Sequence, residues 1–283
     1  MRKGAGLVDG SDKIELKYNS AIVKRVLTSH SWMVMGSLHN LTVLKVESLP
    51  QDLKEFYESH VQVSIDQSIA IASTVQGTEE WLNHRKKVVN ASKARSQYTY
   101  YVNPRADWEK RYNELYHSKF LGNEHTVRGL RCEPLARDAY QESSGKKVFE
   151  CGLLVRPELP WLGASLDGLV VDDQGKIIKT IEIKTLKEGV CLSAADLKEI
   201  KAVKTLDNDG QLKKSTDHYG QVQIGMLLSG IPECDYIVYS EKGNDILAVN
   251  VPFDAPYVLD LVSRLSDVYF DILLPRIKLD FSN

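Results

Sequence analysis

An α/β or α+β domain, with one central mixed β-sheet flanked by helices, is the fold class that this sequence predicts. Short runs rich in β-branched and aromatic residues begin at Val148 and fill the middle of the chain. Segments with apolar residues at three- and four-residue spacing lie before and after these runs. Because a sheet must bury its apolar faces, helices on both sides of a strand-rich middle favour packing against a single sheet.

The first predicted elements are helices. Apolar residues at helical spacing predict a helical segment that starts after Ser48 or Pro50. A second helix is predicted to follow Thr78, because threonine is a good N-cap and two glutamates occupy the next turn. Further helices are predicted for the stretch that opens at Asn90 or Ser92, and for residues 105–120 and 133–142.

The predicted strands are five runs of β-type residues, "VFECGLLV", "LDGLVV", "KIIKTIEIKT", "CDYIVYS" and "ILAVNVPF". Between the third and fourth runs, "HYGQVQIGMLLSG" has a helical pattern that ends at Gly230. The last stretch, "VLDLVSRLSDVYFDILLP", predicts an amphipathic helix that stops at Pro275.

Composition excludes several classes of protein. The 283 residues are 43% hydrophobic and 26% charged, which is typical of a soluble globular chain. No apolar run approaches the roughly 18 residues of a membrane span, and no apolar core follows the early positive charges as in a secretory signal. The four cysteines form no CxxC pair, which argues against a zinc site or a cysteine-ligated iron–sulfur cluster. We therefore expect an intracellular protein with free thiols.

Charge is distributed unevenly along the chain. The net charge of −2 neither indicates nor excludes a nucleic-acid partner. From Trp81 to Ala106, however, the chain has no acidic residue, while basic residues alternate with tyrosines. Such a window is either a solvated face or a surface that follows a nucleic-acid backbone and stacks on its bases.

One β-hairpin raises an electrostatic question. If the turn "DDQGK" closes with Asp173 opposite Lys176, then Asp167 lies opposite Glu182, with Cβ atoms roughly 5 Å apart. Two carboxylates at that distance repel each other unless a cation lies between them, and a divalent cation is the simplest solution. An error of one residue in the turn would remove this pairing.

Alternation along the strand "IEIK" adds a cation to the same site. Glu182 and Lys184 share one face with Asp167, while Ile183 points into apolar packing on the other face. Two carboxylates with a hard cation and an ammonium group suit phosphodiester hydrolysis, because the metal lowers the pKa of a bound water and stabilises charge on the phosphate. The alternative is an exposed hairpin with a cross-strand Glu–Lys pair.

The hairpin resembles the core motif of the PD-(D/E)XK nuclease superfamily, with Asp167, Glu182 and Lys184 in its three positions and Leu166 where a proline is usual. Four stretches in order resemble the lambda-exonuclease or YqaJ-type viral recombinase family. They are "QGTEEWLNHRKKVVNASKAR", "RGLRCEPLARDAY", "WLGASLDGLV" with "IEIKT", and "DHYGQVQIGMLLSG". The tail "VYFDILLPRI" is similar to eukaryotic and large-DNA-virus members.

This resemblance implies a fold and a metal site. A restriction-endonuclease-like nuclease domain would occupy residues 76–283, after a mostly helical N-terminal extension in residues 1–75. Asp167 and Glu182 would be the metal ligands together with the main-chain carbonyl of Ile183, and Lys184 would be the catalytic lysine. Glu133 would be a further carboxylate that contacts metal, unless it is an ordinary glutamate at a helix N-terminus. Mg²⁺ would be the cofactor, with Mn²⁺ able to substitute.

The family also implies a phosphate site. Arg85 and Ser92 match the positions that hold the 5′-terminal phosphate of the substrate strand. A guanidinium can grip phosphate oxygens bidentately, and a serine near a helix N-terminus adds a donor beside a positive dipole. The register is uncertain by one residue, so Lys86 is the alternative cation, and Lys93 is a further candidate for contact with DNA.

A later segment adds polar candidates. Gln221 resembles the family glutamine beside the active site, with Tyr219 or Gln223 assisting, and the alternative is a polar helix face. The lysine-rich stretch between Lys184 and Tyr219 is either a clamp on DNA or a solvated loop.

The prediction is therefore a Mg²⁺-dependent deoxyribonuclease of the recombination or repair type, which degrades duplex DNA from a 5′ end. A structure-specific or restriction-like endonuclease and a catalytically inactive DNA-binding module are the alternatives. The expected partner is double-stranded DNA with a free end, not a membrane, and a second copy of the chain or a single-strand-annealing protein is left open. The expected location is the nucleus or another DNA-containing compartment if the source is eukaryotic.

Overall fold

The structure is a computed structural model that describes residues 20–28, 33–117 and 124–282. The end of the helix predicted over residues 105–120 lies outside these residues. The described helices are α1 (residues 20–28), α2 (Met33–Glu47), α3 (Gln51–His60), α4 (Ile65–Ala72), α5 (Glu79–Arg85), α6 (Ala91–Tyr101), α7 (Trp108–Tyr112), α8 (Glu124–Ser144), α9 (Ala194–Glu199), α10 (Asp217–Ser229), α11 (Ala255–Asp267) and α12 (Leu274–Ser282). Two π-helical turns, Asn113–His117 and Val268–Leu273, follow α7 and α11, and a 3₁₀ turn spans Lys187–Val190.

Eight described strands form two sheets. The strands are β1 (Val89–Asn90), β2 (Lys147–Phe149), β3 (Leu153–Arg156), β4 (Leu159–Ser165), β5 (Gly168–Val171), β6 (Ile177–Thr185), β7 (Glu233–Ser240) and β8 (Asp245–Pro252). The larger sheet has the order β2-β5-β6-β7-β8 and is mixed, because β6 and β7 are parallel and the other neighbours antiparallel. A smaller sheet, β1-β4-β3, lies beside it. The predicted class is confirmed, while the division into two sheets was not predicted.

The central hairpin is β5–β6. Gly168 pairs with Ile181, which is the register that the predicted turn required. The turn itself differs from the prediction, because Asp172 rather than Asp173 closes it, donating its N–H to the carbonyl of Lys176 at 2.9 Å. An irregularity in the ladder next to the turn absorbs the one-residue difference. The shift in the turn and the irregularity in the ladder therefore compensate for each other. The strand segments next to the two carboxylates keep the predicted alignment.

Helices cover both faces of the larger sheet. Helix α8 contacts β6, β2 and β8, and it buries Cys132 and Ala136 against Ile181 and Ile183 of β6. Helix α10 contacts β6 and β7 and also β3 and β4 of the smaller sheet. Gly230 ends α10 in the left-handed conformation, with φ 72°, as the sequence predicted. The hairpin strand β6 is thus held between two helices.

The N-terminal helices share the main core. Val26, Leu38 and Tyr57 are buried in the same apolar cluster as Trp161 of β4. The indole Nε1 of Trp161 also donates to Thr42 Oγ1 at 3.0 Å. The boundary near residue 75 stays a prediction, but these helices complete the core of the nuclease-like part.

Helix boundaries differ from prediction in three places. The segment after Pro50 forms two helices, because Ser64 caps a new helix with a capping box. Helix α8 starts at Glu124, so Pro134 lies inside it. Pro275 does not end the last helix, because its missing N–H falls at the junction between a π-helical turn and α12. Thr78 caps α5 as predicted.

Two expectations drawn from composition concern the thiols and membrane spans. The four cysteines are free thiols. Within the described part of the chain, no helix is both long enough and apolar enough to cross a membrane.

Candidate active site

The link between β4 and β5 and the C-terminal half of β6 bring the three hairpin residues together. Asp167 lies between β4 and β5, and its Oδ2 accepts a hydrogen bond from the main-chain N–H of Ile183 at 2.7 Å. Glu182 is only 3% exposed, and Lys184 Nζ donates to its Oε1. Ile183 packs its side chain against α8, so the strand alternates as predicted. The two carboxylates and the ammonium therefore occupy one side of the hairpin.

Burial dominates the electrostatics of this group. Burial, and then the charge of Glu182, raise the pKa of Asp167 well above its ordinary value, against the opposing effect of Lys184. Burial also raises the pKa of Glu182, although Lys184 opposes this. Burial alone would lower the pKa of Lys184, but the charges of Glu182 and Asp167 outweigh it and raise that pKa. Two adjacent carboxylates whose ionisation is opposed in this way gain most from a further cation.

The donor set fits a hard divalent cation. Mg²⁺ is commonly bound through one or two carboxylates and keeps several waters, so Asp167 and Glu182 with a main-chain carbonyl supply enough protein ligands. Within the described ranges, no three His, Cys, Asp or Glu side chains form a cluster that could hold a metal. An open site of two carboxylates and a main-chain carbonyl does not require such a cluster.

Glu133 approaches the same place from α8. It lies in the middle of the helix and not at its N-terminus, which removes the ordinary capping explanation. Its Oε1 accepts a hydrogen bond from Arg137 Nη1 at 2.5 Å, so the arginine holds the carboxylate in the geometry seen here.

One cavity of about 430 Å³ joins the hydrolytic residues to the phosphate candidates. The predicted residues that line it are Arg85, Ser92, Glu133, Asp167, Glu182, Ile183, Lys184 and Gln221. They come from α5, α6, α8, the hairpin and α10, so only the tertiary fold assembles them.

Arg85 and Ser92 line the same cavity from α5 and α6. Arg85 Nη2 donates to Ser92 Oγ at 3.4 Å, and its guanidinium lies 4.6 Å from the ring centroid of Trp81. Burial lowers the pKa of Arg85. Ser92 lies in the first turn of α6, whose N-cap residue Asn90 makes no side-chain capping bond. A guanidinium held beside an uncapped helix N-terminus is suited to bind an anion.

Two basic candidates point elsewhere. Lys86 is exposed and lines a different cavity, with Tyr116 and Phe281. Lys93 is exposed on α6 and does not line the active-site cavity. Since consecutive residues at the end of α5 project about 100° apart, Arg85 is the residue of this pair that faces the site.

Two candidates on α10 make their hydrogen bonds within the protein. Tyr219 is 6% exposed, and its hydroxyl donates to Asp254 Oδ2 at 3.0 Å. Gln223 is fully buried, donating to the carbonyl of Pro252 and accepting from the N–H of Asp254, each at 2.8 Å. Both therefore anchor α10 to the end of β8 and the residues after it, and neither lines the active-site cavity, so their contact with DNA stays a prediction. Gln221 faces the cavity instead, and its Oε1 accepts from Lys184 Nζ at 3.5 Å.

The lysine-rich stretch is folded against the rest of the chain, and none of its lysines lines the active-site cavity. It folds around α9 and buries Leu197, Val203 and Leu212 against the β7–β8 face. Lys214 pairs with Asp254 at 2.5 Å. A role as a clamp on DNA stays a prediction.

Three further candidate residues at the site were not predicted from the sequence. Arg137 contacts Glu133 and the main-chain oxygen of Asp167, and its spacing of four residues from Glu133 was a usable signal. Asn90 and Ser165 line the cavity, and each has a buried side-chain oxygen with no hydrogen-bond partner among the described residues. The parallel pairing of β1 with β4 brings this part of the chain together, and no local pattern indicates it.

Comparison with solved structures supports this fold. The chain superposes on an alkaline exonuclease (LHK-Exo) from Laribacter hongkongensis with a TM-score of 0.52, at 23% identity over 72% of this chain and 98% of that one. LHK-Exo in complex with dAMP gives a TM-score of 0.51 with the same identity and coverage. At this identity the likeness concerns the fold alone. No curated protein matches the sequence significantly.

The family assignment comes from the sequence profile. Residues 80–231 match the model of the YqaJ-like viral recombinase domain, and they include every hairpin and cavity residue discussed above. Together with the hairpin geometry and the superposed fold, this match confirms the resemblance inferred from the four stretches. The chain therefore belongs to the YqaJ-like viral recombinase domain family, within the PD-(D/E)XK nucleases.

Proposed function

We propose that the protein is a Mg²⁺-dependent deoxyribonuclease that degrades duplex DNA from a 5′ end. The observation that carries this proposal is the single cavity lined both by Asp167, Glu182 and Lys184 and by Arg85 and Ser92. A carboxylate–lysine group alone would fit any nuclease of the superfamily. A phosphate-binding site in the same cavity would bind the end of a strand, so that cleavage of the DNA starts there.

The terminal phosphate is assigned to Arg85 and Ser92. The guanidinium of Arg85 and the hydroxyl of Ser92 would donate to its oxygens, and the N-terminus of α6 would add a favourable dipole. The unpartnered oxygens of Asn90 and Ser165 would accept hydrogen bonds from water or from the first nucleotide. The ring of Trp81 packs against the guanidinium and holds it in place, which reduces the conformational entropy that this side chain loses when it binds phosphate.

The hydrolytic step is assigned to the hairpin. A divalent cation held by Asp167, Glu182 and the carbonyl of Ile183 would supply an activated water and neutralise charge on the phosphate; Mn²⁺ would replace Mg²⁺ in this role. Lys184 would offset negative charge as it develops on the scissile phosphate. Glu182 and Gln221 both accept hydrogen bonds from its ammonium group, so its position is fixed before substrate arrives. Glu133 adds a carboxylate on the α8 side of the cavity.

The substrate class follows from the same arrangement. The acid-free, basic stretch from Trp81 to Ala106 contains Arg85 and Ser92 of the cavity and also Lys93, which is exposed on α6 outside the cavity. A duplex with a free end would let one strand enter while its partner strand stays outside. Removal of nucleotides in this way serves recombination and repair.

End-labelled duplexes test the proposal. Linear DNA with a 5′-phosphate should be degraded with Mg²⁺ or Mn²⁺, and not with EDTA, while a 5′-hydroxyl should slow the reaction. Efficient cutting of covalently closed circles would instead support a structure-specific or restriction-like endonuclease on the same core. DNA binding without any metal-dependent cleavage would support an inactive DNA-binding module.

A further inference from the structure

Arg137 links three parts of the molecule behind the active-site cavity. Its Nη1 donates to Glu133 Oε1 at 2.5 Å and to the main-chain oxygen of Asp167 at 3.2 Å. Its Nη2 lies 2.7 Å from Glu150 Oε1. Helix α8, the turn that carries Asp167 and the chain before β3 therefore meet on one guanidinium.

The position of Arg137 separates it from residues that touch substrate. Its side chain is 11% exposed, and it does not line the cavity, whereas Glu133 and Asp167 both do. A buried guanidinium with carboxylate partners acts on its neighbours and is not available to a ligand. Any contribution to hydrolysis must therefore pass through the groups that it holds.

The chemistry of the contacts requires an arginine. A guanidinium is planar and offers five donors, so it can hold Glu133, a main-chain carbonyl and Glu150 at once. A lysine at this position could keep the charge but not the divergent contacts. Loss of the charge would leave Glu133 beside Asp167 and Glu182 without the guanidinium that pairs with it.

We propose that Arg137 is a positioning residue for the metal site, which sets the Glu133 carboxylate and the turn that presents Asp167. This inference rests on the proposed metal-dependent function. Outer-shell partners of this kind change metal affinity or activity by about 10–100-fold when they are replaced. Arg137 should do so through Glu133 and Asp167, and not through contact with DNA.

Calorimetric titration of the full chain with Ca²⁺ and Mg²⁺ tests this directly. We expect Arg137→Gln to weaken cation binding by about 10–100-fold, and Arg137→Lys to recover part of the loss. Binding of a 5′-phosphorylated duplex in EDTA should stay at the wild-type level, which also shows that the variant folds. Arg131→Gln is the matched control, because Arg131 is on the same helix but pairs with Glu241 at the surface.

A double-substitution cycle identifies the route. If Arg137 acts through Glu133, the combined E133Q and R137Q variant should lose less cation affinity than the product of the two single losses. Wild-type affinity in R137Q, or an equal loss in R131Q, would overturn the proposal. Normal cation binding without cleavage by the wild-type chain would reject the proposed function and leave the role of Arg137 standing. Absence of cation binding in the wild type would overturn both.

Discussion

At the scale of single residues, Lys184 and Arg85 have different proposed roles. Lys184 acts in hydrolysis, and Arg85 binds the end of the strand. Glu182 and Gln221 hold Lys184 in place. Trp81 and Ser92 hold Arg85 elsewhere in the same cavity. If the assignment is right, substitutions at these two positions separate hydrolysis from recognition of the strand end.

Replacing Lys184 with alanine should abolish most cleavage. Removal of a group that stabilises developing charge costs on the order of 10²–10³-fold in rate. The variant should therefore degrade duplex DNA much more slowly than the wild type but bind it with nearly the same affinity. Measuring both quantities separates the two effects. Lys179→Ala is the control, because Lys179 is on the same strand and pairs with Glu233 and Asp235 away from the cavity. A K184A protein that cuts at the wild-type rate would rule out the mechanism.

Replacing Arg85 with alanine should remove the preference for a 5′-phosphate. Charge-assisted hydrogen bonds contribute about 1.5–3 kcal/mol, so the ratio of rates on phosphorylated and unphosphorylated ends should fall by roughly 10–100-fold. Lys86→Ala is an adjacent control of equal charge change, whose side chain lies outside the cavity. If both variants lose the preference equally, a general electrostatic effect and not a specific phosphate site is responsible.

His218 should make stability depend on pH below neutrality. Burial and the charge of Lys184 lower the pKa of His218 from 6.5 to about 4, and its Nδ1 lies 2.7 Å from the hydroxyl of Tyr236. The unfolded chain therefore binds this proton first, and stability falls as pH decreases from 6.5 to about 4.

The raised pKa values of Asp167 and Glu182 act in the opposite direction, so the comparison must be between two proteins. Urea denaturation across this pH range should show a smaller loss of stability in His218→Gln than in wild type. Parallel curves for the two proteins would show that His218 titrates normally in the folded state.

At the scale of elements, the hairpin could be predicted and the smaller sheet could not. Strict alternation in "IEIK" and a turn rich in Asp and Gly are local signals, and they gave the correct alignment despite a one-residue error in the turn. Strand β4 contains Pro160 and Gly163, which interrupt a strand pattern. Pro160 is tolerated because β1 pairs only with Leu162 and Gly163, and the register with β3 passes irregularly from Leu159 to Ala164.

The site, too, could be predicted only where its residues are close together in the sequence. Asp167, Glu182 and Lys184 lie within one hairpin, so their spacing predicts that they meet. Arg85 and Ser92 reach them only through the pairing of β1 with β4 and the packing of α6 on α10. Their placement therefore required the family resemblance, and a helix pattern gave no means to separate Gln221 from Tyr219 and Gln223.

One close contact joins the N-terminal helices to the smaller sheet. A Cβ on Gly152 would lie 2.4 Å from the main-chain oxygen of Thr74 and 2.9 Å from that of Ile71. Its N–H also donates to the carbonyl of Ala72 at 2.8 Å. Because backbone atoms cannot move aside cheaply, Gly152→Ala should reduce the free energy of unfolding by about 1–3 kcal/mol.

Urea denaturation measures this loss, with Gly36→Ala as the control. Gly36 is in α2, and no atom lies within 4 Å of its added Cβ, so alanine there should stabilise by up to about 1 kcal/mol. A neutral effect of G152A would mean that the segment before β3 is free to separate from α4.

At the scale of the whole molecule, the described helices before residue 75 share one apolar core with the part of the chain that matches the family. Val26, Leu38 and Tyr57 cover Trp161 and Phe270, which are almost completely buried. The family match begins at residue 80 and leaves these helices outside it. The extension thus supplies core packing whatever else it does.

Deleting residues 1–75 should therefore expose a large apolar surface and prevent cooperative folding. Loss of several large buried side chains at about 2–5 kcal/mol each exceeds the stability of a typical domain. Circular dichroism during thermal denaturation measures the outcome. A truncated chain that unfolds cooperatively near the wild-type temperature would show that residues 76–283 fold alone.

The central claim is that a metal-dependent hydrolytic group and a 5′-phosphate site share one cavity. The most direct test is product-length analysis of a linear duplex labelled at its 3′ ends, compared with a covalently closed duplex, in Mg²⁺. We predict progressive shortening of the linear 5′-phosphorylated DNA, no cutting of the closed DNA, and no reaction with Asp167→Asn. Equal cutting of both substrates, or full activity of D167N, would contradict the central claim.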